Sequence, residues 1–74
     1  MIAWLLVEVT ESDAQERLRS ASLANALQLV VGSVGNEVIL HVQSTTLEDL
    51  NAALGTFASL AGVTSVSTLR VRPA

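Results

Sequence analysis

The segment Glu37–Gln43 most constrains this chain: Val38, Leu40 and Val42 alternate with Glu37, Ile39, His41 and Gln43. A period of two belongs to a strand with one face turned to a core. Just before it, Gly32 and Gly35 bracket a short connection from the β-compatible run Leu27–Val31, which Gly32 is expected to end. Two strands joined by so short a glycine-containing loop pair as an antiparallel hairpin. A hairpin alone does not fold stably in water, so the rest of the chain must cover its apolar face.

The flanking segments supply that cover. Ile2–Val9 is too short for a stable helix and rich in strand formers, so it reads as a buried, central strand. Ser12 and Gln15 form a capping-box pattern at the start of a helix expected from Asp13 to Ala24, with Ala14, Leu18 and Ala21 on one face. Glu11, Asp13 and Glu16 precede Arg17 and Arg19, the charge order that favours the helix dipole. Thr45 with Glu48 repeats the capping pattern, and Leu47, Leu50, Leu54, Phe57 and Ala61 recur at helical spacing up to Gly62, a helix-terminating glycine. Thr64–Val71 reads as a last strand at a sheet edge, ended by Pro73.

The resulting order, β-α-β-β-α-β, predicts one α+β domain over residues 1–74: a ferredoxin-like sandwich, with an antiparallel sheet carrying both helices on one face. Ala3, Leu5, Val7, Val38, Leu40 and Val42 are expected to point to the helices. Ile2, Trp4, Leu6, Val30, Ile39 and His41 are then expected on the open face. Covering four or five such apolar side chains contributes roughly 6–15 kcal/mol before association costs, at roughly 1.5–3 kcal/mol each. This predicts a homodimer of the dimeric α/β barrel type, with open sheet faces stacked.

Composition sharpens the expectation. With 74 residues, half of them hydrophobic and only 15% charged, the chain has more apolar surface than one small core hides. Its net charge is −3, and its four arginines form two separate pairs, so direct nucleic-acid binding is not expected. There is no cysteine, which leaves no thiolate metal site, and Ser12, Ser20, Ser22 and Ser33 show no context of an activated nucleophile. The acidic pairs Asp13/Glu16 and Glu48/Asp49 lie in first helical turns, where negative charge suits the dipole. No enzyme, metal or cofactor is expected. The apolar opening run stops at Glu8, far short of a span of about 20 residues, so no membrane association is expected and a cytoplasmic location is.

The tail Gly62–Val71, with Gly62, Val63 and Thr68 in place, resembles the end of the RAM (regulation of amino-acid metabolism) ligand-binding domain of the leucine-responsive/AsnC transcription regulators. Val66 stands where that pattern has a further threonine, and Gly35 is offset by one position from the family's glycine ahead of Glu37. The resemblance spans nearly the whole chain in element order. It implies a role in transcription regulation, dimers that assemble into rings, and an amino acid or related metabolite as effector. Members of that family usually carry an N-terminal DNA-binding helix-turn-helix; this chain starts at its first strand, so a stand-alone effector domain that joins full-length regulators of the same family is expected. The ligand residues the resemblance nominates are Gly35, Asn36, Glu37 and Thr68. Two other readings stay open: a cofactor-free dimeric α/β-barrel enzyme and a purely structural oligomerisation module.

Overall fold

A computed structural model describes residues 1–73. Its elements run β1 (Ile2–Val9), α1 (Asp13–Ser20), β2 (Ala26–Val34), β3 (Glu37–Ser44), α2 (Leu47–Ala58) and β4 (Val63–Arg72). The strands form one sheet in the order β2-β3-β1-β4, and each neighbouring pair is antiparallel. The architecture is α+β and compatible with a ferredoxin-like fold. As expected, β1 and β3 are central and β4 lies at an edge.

Alternation fixes which face is which. Ala3, Leu5 and Val7 on β1 and Val38, Leu40 and Val42 on β3 are buried beneath Ala14 and Leu18 of α1 and Leu50, Ala53 and Phe57 of α2. The intervening residues of both strands therefore lie on the side away from the helices. Val30 departs from its expected place. It pairs with Leu40, so it shares the helix-facing side and packs against the core. Residues directly opposite in an antiparallel ladder share a face, and the register of β2 is what a reading of isolated runs does not supply.

That register is irregular. β2 continues through Gly32 to Val34, because an extra residue at Val31 is accommodated as a bulge between Val30 and Gly32. Val34 and Glu37 close the hairpin around Gly35 and Asn36, with Gly35 at φ 58, the first loop position, where a type II′ turn places glycine.

Helix boundaries are set by contacts made across the fold. Ser12 has an α-region backbone and makes no side-chain cap, so the expected capping box does not form. Instead Arg17 Nη1 donates to Glu11 Oε1 at 2.8 Å and to the Ala61 carbonyl at 3.0 Å, tying α1 to the loop before β4. α1 stops at Ser20, not Ala24, because Ala21 turns extended (ψ 135) and the Gln28 side-chain amide donates to the Leu18 and Ala21 carbonyls. Gln28 thus satisfies carbonyls that a helix end leaves open. Gln28→Ala is expected to destabilise the protein by about 1–2 kcal/mol, seen as a lower urea midpoint with unchanged slope.

The cap of α2 is Thr46, one residue past Thr45, with Oγ1 accepting from the Asp49 amide at 3.1 Å. The buried stripe is Leu50, Ala53 and Phe57, whereas Leu47 is 54% exposed and Leu54 only partly buried. α2 ends at Ala58, so Ala61 lies beyond it and Gly62, at φ 87, closes the turn that leads into β4. Among the described residues no helix is long and apolar enough to cross a membrane.

Candidate functional site

The sheet face opposite the helices reads as four rows across the strands. The first row is Leu27, Gln43, Ile2 and Arg72; the second is Leu29, His41, Trp4 and Arg70. The third is Gly32, Ile39, Leu6 and Ser67; the fourth is Val34, Glu37, Glu8 and Ser65. The first three rows carry an apolar patch centred on Trp4, Leu6 and Ile39. Leu27 is 74% exposed, Leu29 63% and Val34 82%.

Most of the expected open-face residues fall on this patch. Ile2, Trp4, Leu6, Ile39 and His41 are all present, each only half-buried by its neighbours. Trp4 and His41 are cross-strand partners whose rings meet edge to face, with centroids 4.6 Å apart and planes at 61°. Leu27, Leu29 and Val34 were not anticipated there. Val34 becomes legible once Gly35 and Asn36 are taken as the turn, since it then pairs with Glu37, whereas Leu27 and Leu29 reach this face only through the bulge at Val31. Gly32 leaves a shallow, mainly apolar depression of about 410 Å³ beside Leu6 and Ile39.

At the fourth row the sheet meets the hairpin turn and forms a cleft of about 550 Å³ lined by Glu8, Val9, Thr10, Asn36, Glu37 and Thr64. The Val9 amide donates to the Asn36 carbonyl at 2.8 Å, which pins the turn to the end of β1. Thr10 donates through its amide (2.8 Å) and its hydroxyl (3.3 Å) to the Gly62 carbonyl, and the Thr64 hydroxyl donates to the Glu8 carbonyl at 3.2 Å. Glu8 and Glu37 are direct cross-strand partners. Like charges so placed repel, and among the described residues neither carboxylate has an ion-pair partner. Such a pair favours a cationic group between them.

Of the nominated ligand residues, Asn36 and Glu37 line this cleft, and Gly35 shapes the turn without lining it. Thr68 is elsewhere. It pairs with Leu5, mid-strand, and so belongs to the helix-facing side of β4, three positions along β1 from Glu8, or roughly 10 Å at strand rise. One chain therefore does not gather all four residues into one site. Glu8, Thr10 and Thr64 take Thr68's place beside the turn. A further open cleft of about 480 Å³ lies at the other end of the sheet, between the segment Leu23–Leu27 and residues 43–45. Among the described residues no group of three or more His, Asp or Glu side chains is placed to hold a metal ion. No family model matches the chain, and neither the curated proteins nor the solved structures yielded a match.

Proposed function

We propose that this chain is a small-molecule effector-binding and oligomerisation module of the RAM kind, a dimeric α/β barrel made by stacking two open sheet faces. The observation that carries this reading is the apolar face itself: Leu27, Leu29 and Val34 are largely exposed around the half-buried Ile2, Trp4, Leu6 and Ile39. A patch of this kind marks an interaction surface. A second copy offers the same apolar centre of Trp4, Leu6 and Ile39 to cover it.

The effector is an amino acid or a related metabolite. Its ammonium group would lie between the unpaired carboxylates of Glu8 and Glu37. Its carboxylate would be met by the Asn36 side-chain amide and the turn backbone. The role in transcription regulation, the rings of dimers and the association with full-length regulators follow the same resemblance.

Sedimentation and a thermal-shift screen of the twenty amino acids test the two halves separately. A dimer is expected at micromolar concentration. An amino acid at a hundred times its dissociation constant adds about 2.7 kcal/mol of stability, which for a domain of this size raises Tm by about 10 °C or more. Glu37→Gln should abolish that shift without changing the mass. A monomer with an intact fold refutes the assembly, and twenty null results at millimolar concentration refute the effector.

A further inference from the structure

The open face is charged in a polarised way. Glu8 and Glu37 lie in its fourth row, whereas Arg70 and Arg72 lie in its second and first rows. Among the described residues none of the four makes an ion pair; the arginines engaged in salt bridges are Arg17 and Arg19, both on α1. Along β1, Ile2 and Glu8 are roughly 20 Å apart at strand rise, so the two ends of the face carry opposite charge.

We propose that these charges fix the orientation of the dimer: the two sheets stack about a two-fold axis running across the strands, between the Trp4 row and the Leu6 row. This rests on the stacked-face reading above and adds to it the choice between the two ways of stacking. Full overlap with the axis across the strands lays each first row over the other copy's fourth row. Glu8 of one copy then lies above Ile2 of the other, one strand spacing of about 4.8 Å to the side of Arg72, and an arginine side chain spans most of the ~10 Å between stacked sheets. The symmetry makes the contact twice. Trp4 falls over Leu6 of the second copy, so the apolar centre stays covered. Glu37 is a strand further from the arginines and still faces the turn cleft, so in this arrangement Glu37 is the carboxylate left for the effector's ammonium group while Glu8 is shared with Arg72.

Stacking about an axis along the strands has the opposite outcome. Fourth row meets fourth row, which brings four carboxylates together and leaves the arginines over uncharged side chains. Like-charge juxtaposition across an interface is the usual means by which wrong arrangements are rejected.

A charge-swapped chain (Glu8→Arg, Glu37→Arg, Arg70→Glu, Arg72→Glu) separates the two arrangements. These are surface side chains outside the core, and circular dichroism checks each variant's fold. Reversing either end alone should weaken the dimer at least about tenfold, and the full swap should restore it. Mass-tagged swapped chain co-refolded with wild type in equal amounts is then read by native mass spectrometry. Self-sorting is expected, with heterodimers well below the half that random pairing gives, because each heterodimer sets carboxylates against carboxylates. Free or preferred mixing, or single-end variants that dimerise like wild type, overturns the orientation while leaving the dimer in place. A monomeric wild type removes both.

Discussion

Replacing Ile39 with aspartate is expected to abolish the proposed dimer while leaving the fold of each copy intact. Ile39 lies in the third row, between Gly32 and Leu6, on a central strand of the sheet. Its side chain points away from the helices, so the core of Leu5, Leu40 and Phe57 loses no contact. In a two-fold assembly the substitution acts twice. Each copy forfeits the burial of an isoleucine, about 1.5–3 kcal/mol, and sets a carboxylate without a partner in an apolar seam, which costs more. The total exceeds about 4 kcal/mol, or roughly a thousandfold in dissociation constant. Sedimentation at micromolar concentration should therefore show a monomer with an unchanged far-ultraviolet spectrum. Thr68→Asp is the matched control, because the same charge is placed at an exposed position on the helix side of β4. If Ile39→Asp keeps the wild-type mass, this face is not where the copies meet.

The alternating strands were legible from sequence because burial alternates with them. Ala3, Leu5, Val7, Val38, Leu40 and Val42 are each at or below 1% exposure, and a period of two leaves no second way to place them. The element order followed from hydrophobic periodicity and the turn glycines Gly35 and Gly62, although the Ser12 cap does not form and α2 is capped by Thr46 rather than Thr45. What escaped was whatever depends on two segments at once. Val30 was assigned to the wrong face because the bulge at Val31 changes the phase of β2, and only pairing with β3 reveals it. The end of α1 is set by Gln28, a residue of another element eight positions beyond Ser20. The candidate site shows the same division. Asn36 and Glu37 were readable as a polar turn, but Glu8 and Thr64 join them only through the sheet. Thr68 was nominated by resemblance alone, and the register assigns it to the helix-facing side.

Gly62→Ala is expected to be among the most destabilising single-methyl changes in the chain, and two terms combine to make it so. The backbone at Gly62 has φ 87, a conformation that costs an L-residue roughly 1–2 kcal/mol. A Cβ there would also lie 2.9 Å from the Ala14 Cβ and 3.2 Å from Arg17 Nη1, where α1 presses on the loop. Overpacking of that kind adds roughly 1–3 kcal/mol. Together the loss is about 2–5 kcal/mol, or about 8–40 °C in Tm for a domain of this size. Gly35→Ala isolates the first term, since its φ is 58 and nothing lies within 4 Å of an added Cβ. It should cost about 1–2 kcal/mol and no more. Ala14→Gly isolates the second. Alone it weakens α1 by about 1 kcal/mol, but in its background Gly62→Ala should cost little beyond the backbone term. Strictly additive effects of the two substitutions would show that α1 and this loop are not in contact. The same loop carries the Gly62 carbonyl that accepts from Thr10, a wall of the carboxylate cleft. Any effector response should therefore weaken in Gly62→Ala even at temperatures where the chain is still folded, and recover with Ala14→Gly.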